Sequence, residues 1–142
     1  MATTTDNLLK ELKNAKDINA FLNNNEKKFI NETPCSLLNE FLSKKNMSIP
    51  QVIKNSGAGD YVYKIFNGTR KPSRQIILTI AFGLGLSFEE TQLVLRVSKL
   101  ALLDSRDKRD SIITYALVNK LSVFYADDLL EENGFVTLQK DS

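Results

Sequence analysis

Asn67, Gly68, Thr69, Arg70, Lys71 and Pro72 gather amide, hydroxyl and cationic side chains on one short loop near the middle of the chain. Such groups donate hydrogen bonds and carry positive charge, which suits them to holding phosphate oxygens. Just upstream, Asp60, Tyr61, Tyr63 and Lys64 form the polar side of a short segment whose apolar members are Val62, Ile65 and Phe66. Lys64 adds a further cation beside this loop, and Arg74 another just past its proline.

Bond-making chemistry has few candidates. The chain contains no histidine, which removes Ser-His-Asp and Cys-His triads and the commonest transition-metal ligand. Its single cysteine, Cys35, has no second thiol to pair with and reads as a small buried apolar residue on the first core helix. Asp127, Asp128, Glu131 and Glu132 cluster near the C-terminus, together on what reads as the solvated side of an amphipathic helix. Gly83 and Gly85 lack the third glycine and preceding strand of a nucleotide loop, and read as a helix ending. A non-enzyme without cofactor or metal is expected.

Charge distribution agrees with a polyanion partner better than total charge does. The 142 residues carry a net charge of +2. Residues 1–32 are neutral, residues 33–87 carry +5 and residues 88–142 carry −3. The positive excess therefore falls on the segment holding the basic loop.

The elements that position these groups are read from caps and apolar spacing. With 42% hydrophobic and 25% charged residues, the chain suits one ordinary domain with a small appendage. Two short helices are expected in the leader, around Leu8, Leu9 and Leu12 and around Ile18, Phe21 and Leu22. Thr33-Pro34 opens the next, with Leu37, Leu38, Phe41 and Leu42 on one face. Ser48 and Gln51 form a capping box ahead of Val52 and Ile53. Gly57 and Gly59 break that helix, and Asp60 is expected to cap the following one, which ends at Gly68.

Ser73 opens a fourth core helix bearing Ile76, Ile77, Ile80 and Ala81. Ser87 and Glu90 box a fifth with Leu93, Val94 and Val97. A charged link from Asp104 to Asp110 leads to a helix with Ile112, Ile113, Ala116 and Leu117. Ser122 starts a last one that stops at Asn133-Gly134. No strand is expected, no apolar run approaches the roughly 20 residues of a membrane span, and no signal pattern opens the chain. With the lone cysteine, a cytoplasmic location is expected.

Residues 35–99 resemble the Xre/lambda-repressor-like helix-turn-helix family. The likeness rests on the boxed second helix, on Ile65-Phe66-Asn67-Gly68, on Arg70-Lys71-Pro72-Ser73, and on the phrase from Ala81 to Ser87. It implies an all-α, five-helix bundle with short N-terminal helices and a C-terminal helical hairpin. The corresponding parts are 1–32, 33–103 and 104–142. It also implies a cytoplasmic, dimeric DNA-binding transcription regulator whose third helix enters the major groove of double-stranded DNA.

Carried across, the groove-facing positions are Asp60, Tyr61, Tyr63 and Lys64, and the phosphate positions are Gln51, Asn67, Thr69, Arg70 and Lys71, with Arg74 added on charge. Four neutralised phosphates would give a log–log salt slope of about −3.6. The alternative is a protein-interaction adaptor on the same fold, for which Asp60 and the tyrosine pair speak. The helices after residue 104 are the expected homodimer surface.

Overall fold

The computed structural model describes residues 33–139 together with Asn7 and Lys10, both helical. The two expected leader helices otherwise lie outside the described residues. The chain divides into two compact units, Met1–Glu32 and Thr33–Ser142, and every helix from Pro34 onward belongs to the second.

Seven helices, and no strand, occur among residues 33–139: α1 Pro34–Lys44, α2 Ile49–Ser56, α3 Tyr61–Phe66, α4 Arg74–Leu84, α5 Phe88–Val97, α6 Lys108–Val118 and α7 Val123–Glu132. Six of them start where a side-chain oxygen accepts an otherwise unpaired N–H of the first turn. Thr33 with Ser36, Ser48 with Gln51, and Ser87 with Glu90 are reciprocal capping boxes. Ser73, Asp107 and Ser122 each accept one such bond. Gly57 and Gly85 close α2 and α4 with left-handed backbone, at φ 67° and 68°, where a Cβ is disfavoured.

Helix α4 is the centre. Ile76 to Ala81, Gly83 and Leu84 are all buried, so beyond its first turn this helix is covered on nearly every side, as its largely apolar sequence requires. It packs against α2, α5 and α7, while α1 packs on α3 and α5. The helix ends at the Gly83–Gly85 pair as expected, with Gly85 as its cap and Gly83 in its last turn. A Cβ on Gly83 would lie 2.7 Å from the Val52 carbonyl oxygen and 3.0 Å from the Ser56 Cβ. Its bare Cα is what lets α4 approach the backbone of α2.

The C-terminal hairpin shares this core. Ile113, Leu117, Val123, Leu130 and Leu138 belong to the same buried cluster as Leu38, Ile65, Ile77 and Leu84. Residues 33–103 and 104–142, expected as domain and extension, are thus continuous in packing. The charged link also ends earlier than expected, because Asp107 caps α6 and Asp110 lies inside it, 6% exposed.

Candidate functional site

The candidate surface runs from the start of α2, through the glycine turn and α3, to the loop ending at Pro72. Gln51 is exposed, and its Oε1 accepts from the Ser48 N–H at 2.8 Å. Its carbonyl oxygen is engaged in the cap and its NH2 group is left outward. The turn is fixed from two sides. Ser56 Oγ accepts from the Ala58 N–H at 3.2 Å, and the Gln139 amide donates to the Ser56 carbonyl at 2.8 Å. A Cβ on Gly57 would overlap the Gln139 amide and fall 2.9 Å from Phe124 Cε1. The tail and the first residues of α7 therefore brace the turn that aims α3.

Helix α3 buries Val62, Ile65 and Phe66 and exposes Tyr63 and Lys64. Asp60 does not act as the expected cap. Its backbone is already helical (φ −66°, ψ −11°) and its side chain accepts no capping bond, so the exposed carboxylate stays at the mouth of the helix. Tyr61 also departs from expectation. It is half-buried and packs on the core, with its hydroxyl enclosed and without a hydrogen-bond partner. The Arg70 guanidinium lies over its ring, 4.9 Å from the centroid, a cation–π contact. Tyr61 thus supports Arg70 instead of facing outward.

The loop after α3 is held by its own side chains. Asn67 Oδ1 accepts from the Thr69 N–H at 3.0 Å and from the Thr69 hydroxyl at 2.7 Å. The Thr69 and Arg70 N–H groups both donate to the Lys64 carbonyl, at 3.0 and 3.1 Å. The Thr69 proton is accordingly engaged within the loop, and the outward donors are Asn67 Nδ2, Arg70 and Lys71.

From α1, the Asn39 amide and the Cys35 thiol both donate to the Phe66 carbonyl, at 2.7 and 3.1 Å. Cys35 is half-buried and acts as a weak donor rather than as the buried apolar residue expected. Asn39 was not singled out from the sequence. Its polar side chain on the apolar face beside Leu38 was the available signal.

Arg74 is placed elsewhere. Its guanidinium makes a two-pronged pair with Asp110, at 3.1 and 2.8 Å, and donates to the Ala101 and Leu102 carbonyls at 2.9 and 3.1 Å. It closes α4 onto the α5–α6 link, and the phosphate role expected of it has few free donors left to serve it. Arg109 does similar work, donating to the Val136 carbonyl and to Gln75 Oε1. Asp127 leaves the acidic cluster too. It is 8% exposed and accepts the Leu138 and Gln139 N–H groups, whereas Asp128, Glu131 and Glu132 are exposed.

Of the ten positions expected to meet DNA, the fold leaves Gln51, Asp60, Tyr63, Lys64, Asn67, Thr69, Arg70 and Lys71 exposed along this one stretch. Lys64, Arg70 and Lys71 form no ion pair with a described carboxylate. The class defined by fold and surface is, over the described residues, a helical protein presenting cations that no described carboxylate pairs beside a short, braced helix. No protein-family model, curated protein or solved structure matches the chain.

Proposed function

We propose that this chain is a sequence-specific DNA-binding regulator of the Xre/lambda-repressor-like kind, acting without catalysis. In this reading α2 and α3 are the helix-turn-helix. Tyr63 and Lys64 of α3 reach base edges, and Gln51, Asn67, Arg70 and Lys71 hold phosphates on either side. The observation that carries it is the set of exposed, unpaired cations Lys64, Arg70 and Lys71 around the end of α3. A polyanion gains most where the protein has not already neutralised its own charge.

A protein-interaction role is favoured by one specific observation, the uncapped Asp60 carboxylate beside exposed Tyr63. Tyrosine and a fixed charge are common anchors of protein interfaces. For the DNA-binding form, a second copy would engage through exposed Tyr115, Val118 and Tyr125 of α6 and α7, presenting two α3 helices to half-sites about 34 Å apart.

Fluorescence anisotropy on duplexes from the region upstream of the protein's own coding sequence separates the two readings. The two phosphate-facing cations, Arg70 and Lys71, give a log–log slope of about −1.8, or roughly 12-fold weaker binding between about 50 and 200 mM salt. Lys64→Ala and Arg70→Ala should each weaken binding. Absent or salt-insensitive binding, with Tyr63→Ala abolishing capture of a protein partner, would move the assignment to the adaptor.

A further inference from the structure

A groove of about 410 Å³ opens between α2, α4 and the α6–α7 turn. Its walls include Phe82, Leu86, Leu117 and Phe124, and Lys54 and Lys120 also line it. Among the described residues no aspartate or glutamate lines it, and neither lysine forms an ion pair with a described carboxylate. The volume falls in the range of about 300–1,000 Å³ usual for small-molecule sites.

We propose that this groove binds a small apolar carboxylate. The charge pattern selects the occupant. An apolar chain leaves water against the partly exposed Phe82, Leu121 and Phe124, and its carboxylate meets two ammonium groups that no described carboxylate neutralises. A neutral molecule of the same length gains only the first contribution, and a cationic one sets its charge against both lysines.

The groove also touches the turn before α3. Phe124 lines it and at the same time lies against Gly57, where the chain leaves α2 in left-handed backbone. An occupant that shifts the Phe124 ring bears directly on the turn that aims α3. Control of DNA binding by this route rests on the function proposed above; binding in the groove does not.

The test needs no DNA, so its failure and the failure of the regulator reading are distinguishable. The full chain, labelled with nitrogen-15, is titrated with sodium octanoate, with 1-octanol and with octylammonium chloride while amide shifts are followed. Saturable shifts at Gly83, Gly85, Lys120 and Leu121 with octanoate are expected. Octylammonium, and octanoate with the Lys54→Gln/Lys120→Gln variant, should bind about tenfold more weakly or worse, in keeping with the loss of two ion pairs.

Both lysines are exposed, so the variant's unperturbed spectrum serves as the folding control. No saturable shift, or octylammonium binding as tightly as octanoate, overturns the proposal. Movement of the Gly57 amide on octanoate binding, abolished in Phe124→Ala, supports the link to the turn. A Gly57 signal that stays still in the native chain overturns that link.

Discussion

Arg70 lies on the loop after α3, its guanidinium over the Tyr61 ring and no described carboxylate beside it. Arg74, four residues on, faces inward and is held by Asp110 and by two carbonyls of the α5–α6 link. Residue type and local charge are the same, yet one cation is offered to solvent and the other closes the fold. What separates them is a buried acceptor within reach, and that acceptor comes 36 residues later. The basic segment as a whole divides in this way. Lys44 pairs with Glu40, Lys45 with Glu90 and Arg74 with Asp110, which leaves Lys54, Lys64, Arg70 and Lys71 outward.

The largest expected effect breaks the inward case. Arg74→Ala strands a carboxylate that is 6% exposed, and removing one partner of a buried pair costs about 3 kcal/mol. Arg70→Ala should change stability by no more than about 0.5 kcal/mol, as for surface positions generally. Urea unfolding of both variants decides it. If Arg70→Ala costs as much as Arg74→Ala, the two arginines are not doing different jobs and the contrast falls.

The glycines sharpen the same inward–outward contrast at smaller magnitude. Gly83→Ala drives a methyl group into the Val52 carbonyl oxygen and the Ser56 Cβ, an overpacking cost of about 2 kcal/mol. Gly134 has left-handed backbone at φ 79° but nothing within 4 Å of a would-be Cβ. Gly134→Ala therefore carries only the local backbone penalty, about 1 kcal/mol. Thermal unfolding should rank Gly83→Ala below Gly134→Ala, and the reverse order would mean that α4 can retreat from α2 at little cost.

Helix starts were legible in the sequence because a cap is local. Ser48 with Gln51 and Ser87 with Glu90 announce themselves three residues apart, and the backbone then does what those side chains allow. Asp60 is one exception, since the chain is already helical there and the carboxylate has no orphan N–H aimed at it, and Asp107, which caps α6 inside the stretch read as a link, is another. The exposed loop from Asn67 to Lys71 was legible for the same local reason. Partnerships over long separations were not. Nothing near Arg74 indicates Asp110, nothing near Asp127 indicates Leu138, and nothing near Ser56 indicates Gln139. In each case a polar side chain that looks available is claimed by a distant backbone or charge once the core has formed.

Lys45 stands between the two arginines and gives the smallest and most conditional prediction. Its ammonium lies 3.3 Å from Glu90, with the two side chains 28% and 31% exposed. Burial pushes the Glu90 carboxyl up, but the Ser87 N–H and the Lys45 ammonium outweigh it and hold the group below its ordinary value of 4.5. A lowered carboxyl binds its proton more weakly in the folded chain than in the unfolded one. Its stabilisation is therefore complete above 4.5 and is lost as pH falls through the lowered folded value.

Glu90→Gln keeps an oxygen for the Ser87 N–H, so the capping box survives while the charge does not. At neutral pH the loss should be a few tenths of a kcal/mol, as for partly exposed pairs. The difference from the native chain should shrink toward zero as pH drops below 4.5. Chemical unfolding at pH 7 and across the acid range measures both. A gap that persists in acid would mean that charge is not the source of Glu90's contribution, and Lys45 would then rank with the free cations of the loop.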